Sequence, residues 1–123
     1  MDTLQTIYVE DDEQEAFVMR IGMRRQQIDV VHIDQISLET ISQLQEHPLD
    51  QAIAIIFDSM LRNQNGLDLA CQLRQEGDQR AMILLTAGDN PDPQRLKAND
   101  ILYLRKPPNF EQLAQIIRQH IER

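Results

Sequence analysis

Two segments, Ala52 to Phe57 and Met82 to Leu85, are apolar at every position. A strand with one wet face alternates apolar and polar side chains. Unbroken apolar runs this short therefore belong to strands covered on both faces, as in a parallel sheet between two layers of helices. Three further runs rich in branched aliphatics, Thr6-Ile7-Tyr8-Val9, Asp29-Val30-Val31-His32-Ile33 and Ile101 to Leu104, bring the predicted strands to five.

Stretches of helical period separate them. Gln14 to Gln26 carries Phe17 and Ile21, and separately Met19 and Met23, at i, i+4, with Arg20 and Arg24 expected on the opposite face. A second helix is expected to open near Ser37 as N-cap, to place Leu38, Ile41 and Leu44 three residues apart, and to stop at Pro48. A third runs from about Gly66 to Gln75 and ends at Gly77. The last follows Pro107-Pro108, with Asn109 as N-cap and Leu113, Ile116, Ile117, His120 and Ile121 as its apolar stripe. Between the fourth and fifth strands, Pro91 and Pro93 restrict Ala87 to Asn99 to a short or irregular helix of about two turns. Strands and helices in alternation predict an α/β fold, a doubly wound five-stranded parallel sheet with right-handed crossovers.

At 123 residues the chain supports one core, so residues 1–123 are expected to be a single domain without an output domain. Twenty acidic against twelve basic residues leave a net charge of -8, which repels nucleic acid and anionic lipid. No apolar stretch reaches the roughly 20 residues that span a bilayer, and Met1 to Glu10 lacks the pattern of a signal peptide. The expected location is the cytoplasm, without nucleic acid or membrane partners. The single Cys71 has no disulfide partner and is expected as a small buried hydrophobe.

In such sheets the functional crevice lies at the carboxyl ends of the strands. The residues just beyond the apolar runs are Glu10-Asp11-Asp12, Asp58, Thr86 and Lys106. By itself the acidic turn Glu10 to Glu13 would serve the start of the first helix through its macrodipole. Asp58, ending a buried run, and Lys106, one of only two lysines, have no routine packing use. Clustered carboxylates need a cation, and hard oxygen donors suit Mg2+. With Thr86 as a hydroxyl donor the set makes an acyl-phosphate site: Asp58 the nucleophile, the first-strand acids holding Mg2+, Thr86 and Lys106 binding phosphoryl oxygens.

These strings resemble the response-regulator receiver family of two-component signalling over essentially the whole chain. Ile7-Tyr8-Val9-Glu10-Asp11-Asp12-Glu13 is similar to the family's first strand and acidic pair. Asp58-Ser59-Met60-Leu61, with Gly66 following, is similar to its phosphoacceptor loop, Leu84-Leu85-Thr86-Ala87 to its switch-threonine strand, and Tyr103-Leu104-Arg105-Lys106-Pro107 to its aromatic and Lys-Pro ending. The resemblance implies a flavodoxin-like (βα)5 fold with strand order 2-1-3-4-5, and a stand-alone receiver. It implies that Asp58 takes a phosphoryl group from a histidine kinase or phosphotransfer protein. Asp11, Asp58 and the main-chain carbonyl of Met60 would bind Mg2+, with Glu10 acting mainly through water. Lys106 would pair with the phosphoryl group, Thr86 and Tyr103 would form the switch pair, and the Lys106-Pro107 bond would be cis. Output would be contact with a downstream protein effector, from a monomer or weak dimer.

The chain departs from the family pattern in three respects. Arg62 stands where the family usually has Pro, fewer residues than usual separate Thr86 from Lys106, and Lys97-Ala98-Asn99-Asp100 replaces the usual Gly-Ala before the fifth strand. The alternative function is a phosphorylation-independent docking module on the same fold. An aspartyl-phosphate hydrolase would want a second Asp at Met60, and a flavin or nucleotide binder would want phosphate-cradling turns where Glu10 to Glu13 stand.

Overall fold

Each strand alternates its side chains between the two sheet faces, and along the middle strands both faces are dry. Ile7, Val9, Ile55, Phe57, Met82 and Leu84 pack on one side; Tyr8, Ala54, Ile56, Ala81, Ile83 and Leu85 pack on the other. Burying one such aliphatic or aromatic side chain contributes about 1.5 to 3 kcal/mol, so the central strands carry much of the stability. The computed structural model describes residues 3–34, 43–46, 48–62, 64–88 and 90–121.

The strands are β1 (Leu4–Val9), β2 (Ile28–Ile33), β3 (Ala54–Asp58), β4 (Ala81–Thr86) and β5 (Ile101–Arg105). They pair in parallel in the order β2-β1-β3-β4-β5. This is the doubly wound α/β sheet expected from the sequence. The helices among the described residues are α1 (Glu13–Arg24), α2 (Gly66–Gln75), α3 (Pro93–Ala98) and α4 (Phe110–Ile121). Met19 and Met23 of α1 join Leu113, Ala114 and Ile117 of α4 on one face of the sheet. Leu67, Leu69, Ala70, Cys71 and Leu73 of α2, with Leu96 of α3, cover the other.

Local chemistry explains the helix starts. Asp12 caps α1 by accepting from the Gln14 and Glu15 N–H groups, Asn65 caps α2, Asp92 caps α3, and Asn109 accepts from Gln112 N–H at the start of α4. Pro93 takes the first position of α3, where its missing N–H costs nothing. The helix has six residues, in line with the short element expected there. The helix expected from Ser37 falls mainly on residues 35–42, outside the described residues; Leu44, its last apolar position, is buried.

One expectation needs correcting. Phe17 and Ile21 do not oppose Arg20 and Arg24: all four line one surface groove, with Phe17 61% and Ile21 43% exposed. A face as wide as α1 offers can bury only one of its two apolar pairs, and the sheet takes Met19 and Met23. At the amino-terminal end of the sheet, the Arg80 guanidinium donates to the Leu44, Leu49 and Ala52 carbonyls and to the Asp78 carboxylate. That one side chain satisfies the carbonyls of the connection into β3, which would otherwise lie partly buried and unpaired.

Candidate functional site

The carboxyl ends of β1, β3, β4 and β5 converge, and their last residues are where the sequence analysis placed the chemistry. Glu10 and Asp58 are both buried although both are acidic. Lys106 is their counter-charge: its Nζ lies 3.1 Å from Asp58 Oδ1 and 3.4 Å from Glu10 Oε2. The lysine is aimed from the end of β5, where its own N–H donates to the Thr86 carbonyl at 2.7 Å and ties β5 to β4. The Lys106–Pro107 bond that follows is cis.

Glu10 also accepts from the Tyr8 hydroxyl at 3.1 Å and from the Asp12 N–H at 3.1 Å. Burial, then its contacts with Glu15 and Asp58, push its carboxyl up to about 8. Burial works in the opposite direction on Lys106, but the hydrogen bonds it donates to Glu15 and Asp58 and the surrounding negative charge outweigh it and hold the ammonium protonated well above its ordinary range. Tyr8 is raised by burial and by the neighbouring Glu10, so its hydroxyl stays a donor.

Asp11 sits to one side. Its Oδ2 accepts from the Arg62 N–H at 2.6 Å, joining the β1 end to the loop after β3. Burial opposes ionisation there, yet this N–H and its neighbours keep the carboxyl below the usual range. Arg62, where the family pattern has proline, thus contributes an N–H that proline lacks. Met60 lies at the same place, its N–H 3.4 Å from Asp58 Oδ1.

Thr86 is buried, and its hydroxyl has no hydrogen-bond partner among the described residues. Tyr103 pairs in register with Leu84, two residues before Thr86, so the strand period puts Tyr103 and Thr86 on the same side of the sheet. Tyr103 is 49% exposed on β5, an edge strand of the sheet.

The residue that the sequence analysis missed is Glu15. It stands in the first turn of α1 and places both carboxylate oxygens on Lys106 Nζ, at 3.0 and 3.1 Å. Oxygens of Glu10, Glu15 and Asp58 lie within 4.8 Å of one another. In the sequence Glu15 looks like one more acid at a helix start, and only its distance from Lys106 distinguishes it. Beside this cluster a cleft of about 510 Å³ opens between α1 and the start of α4, lined by Val18, Met19, Pro107 and Phe110 among others.

Buried acids, a shared ammonium and a buried hydroxyl without a partner among the described residues thus stand together at the carboxyl edge of a 2-1-3-4-5 sheet. The chain belongs to the response regulator receiver domain family, whose model matches residues 6–118. Members of that family are signalling modules of two-component systems rather than classical enzymes. No curated protein sequence matches the chain. Among solved structures it is similar to a response regulator receiver domain protein of Clostridium thermocellum, at 17% identity over 97% of this chain and 94% of that one, with a TM-score of 0.78. It is also similar to the chemotaxis protein CheY4 of Vibrio cholerae, at 18% identity over 97% and 99% of the two chains and a TM-score of 0.77. A CheY-like receiver domain of Methylobacillus flagellatus matches at 18% identity over 96% and 98%, with a TM-score of 0.78. Likeness at these identities establishes the fold alone. Among the described residues no helix is long and apolar enough to cross a membrane.

Proposed function

We propose that the protein is a phosphoacceptor that takes a phosphoryl group from a histidine kinase or phosphotransfer protein onto Asp58, with Mg2+, and passes the signal to a downstream protein effector. The observation that carries this reading is the Lys106 ammonium 3.1 Å from a buried Asp58, with Glu10 buried beside it. A buried acid-rich cluster is costly, and holding it together only for packing would gain nothing that apolar residues could not supply.

The residues present suit Mg2+, since Glu10 and Asp11 follow β1 and Asp58 ends the neighbouring β3, bringing hard oxygen donors and more negative charge than one lysine balances to one place. Asp11, Asp58 and the Met60 main-chain carbonyl would hold the ion, with Glu10 acting through water. When bound, it would neutralise the oxygens of the incoming phosphoryl group. An Asp58 oxygen then forms the O–P bond as the donor's P–N bond breaks, the electron pair leaving on the donor nitrogen, which takes up a proton. Lys106 pairs with a phosphoryl oxygen. The Thr86 hydroxyl, a donor with no partner among the described residues, gains an acceptor once a phosphoryl oxygen stands beside it. Its movement leaves space into which the exposed Tyr103 ring turns, changing the surface that an effector reads. A cytoplasmic location goes with this reading.

The test is intact mass after incubation with Mg2+ and phosphoramidate, a small P–N phosphodonor. One phosphoryl adduct is expected on the wild type and none on Asp58→Asn. A wild type that stays unmodified overturns the reading in favour of a phosphorylation-independent docking module, and an adduct that persists in the variant overturns Asp58 as the phosphoacceptor.

A further inference from the structure

Lys106 has three N–H donors and, among the described residues, three carboxylate neighbours. Asp58 and Glu10 are almost fully enclosed, with side chains 7% and 1% exposed, whereas Glu15 is 44% exposed. Glu15 nevertheless makes the closest contact, with both oxygens on the ammonium. A phosphoryl group arriving on Asp58 brings further oxygens that need donors, and the ammonium has none to spare. One partner must give way. Releasing Glu10 would take a polar partner from a fully buried carboxyl group, while releasing Glu15 returns a half-exposed carboxylate to solvent at little cost.

From this geometry we infer that Glu15 is a positioning residue of the site, an internal counter-anion that holds Lys106 against α1 until a phosphoryl group on Asp58 displaces it. The inference rests on Asp58 as phosphoacceptor and adds what regulates access to Lys106. In the resting protein Glu15 competes for the lysine and adds negative charge on the side from which a phosphodonor anion would approach. It thereby sets a threshold for phosphorylation. Displacement frees Glu15 and with it the first turn of α1, so the state of Asp58 is also reported on that helix.

Amine reactivity tests this independently of phosphorylation. The chain has two lysines, and Lys97 on α3 is exposed and serves as internal reference. With a limiting acylating reagent and peptide mapping, Glu15→Gln should raise the labelling of Lys106 relative to Lys97 severalfold. The same variant should take phosphoryl groups from phosphoramidate severalfold faster while its Mg2+ affinity, titrated calorimetrically, stays at the wild-type value. Glu13→Gln removes an exposed acid from the same helical turn and should change none of the three readings. An unchanged Lys106 labelling ratio in Glu15→Gln overturns the inference. So does an equal effect from Glu13→Gln, or lost Mg2+ affinity with slower phosphorylation, which would make Glu15 a metal ligand. If the wild type takes no phosphoryl group, the proposed function fails, and the labelling ratio still decides whether Glu15 holds the lysine.

Discussion

Glu10 carries a carboxyl group with almost no access to water, and its proton affinity follows from that placement. Burial raises its pKa from the ordinary 4.5 to about 8. Between those values the folded protein keeps a proton that the unfolded chain has released, so the raised pKa stabilises the fold most below pH 4.5 and its contribution is lost as pH rises toward 8. Asp78 works the other way: burial opposes its charge, but Arg80 outweighs burial and lowers its pKa, so its contribution disappears only in acid, below about pH 4. Metal-free stability measured by urea denaturation should therefore decline from pH 5 to pH 8, and Glu10→Gln should flatten that decline. A wild-type stability that rises over this range would show that Glu10 is ionised in the resting protein.

At the scale of elements, the junction of β3 and α2 is the most demanding. Gly66 opens α2, and its N–H donates to the Ser59 carbonyl at 3.0 Å, folding the loop back on the end of β3. A Cβ at this position would stand 2.0 Å from the Asp58 carbonyl oxygen and 2.9 Å from its carbon. Those are main-chain atoms of a central strand, which cannot rotate aside, so either the loop or the helix must shift. Gly66→Ala is expected to lower the melting temperature markedly, by about 2 kcal/mol or more in stability, and to slow phosphorylation of Asp58. Gly77→Ala is a useful contrast: no atom lies within 4 Å of its added Cβ, so its cost comes from the positive φ of 96° alone and leaves Asp58 in place. Equal phosphorylation rates in Gly66→Ala and wild type would show that the loop absorbs the extra carbon.

For the whole molecule, the layers of helices leave β5 as an edge strand with Leu102 and Tyr103 each 49% exposed. Beside it, α3 presents only six residues, joined to α2 by an exposed Arg95–Asp68 ion pair of the kind that contributes at most about 1 kcal/mol. A helix of that length offers little area on which to build an interface, and stable dimers usually bury about 800 Å² per partner. The protein is therefore expected to remain monomeric, or to dimerise weakly, with and without a phosphoryl mimic, as light scattering would measure. A tight dimer on phosphorylation, lost on substituting Arg95 or Lys97, would show that the α3 face suffices.

The apolar runs at Ala52 to Phe57 and Met82 to Leu85 made the parallel sheet legible without coordinates, because strands dry on both faces leave no other pattern. The residues that end those runs were legible for the same reason, since an Asp or Lys at the close of a buried strand has no packing use. Asp58 and Thr86 were singled out that way, and Lys106 as the residue beyond the fifth strand; the structure brings Lys106 within 3.1 Å of Asp58. Which apolar pair of α1 would face the sheet was not, because Phe17 with Ile21 and Met19 with Met23 have the same spacing and only docking on the strands chooses between them. Glu15 was invisible for a related reason. Ninety-one positions separate it from Lys106, and the ion pair exists because the parallel crossovers bring the start of α1 beside the end of β5. Local patterns of polarity are written along the chain, whereas a pairing between distant charges is decided by the path that the folded backbone takes.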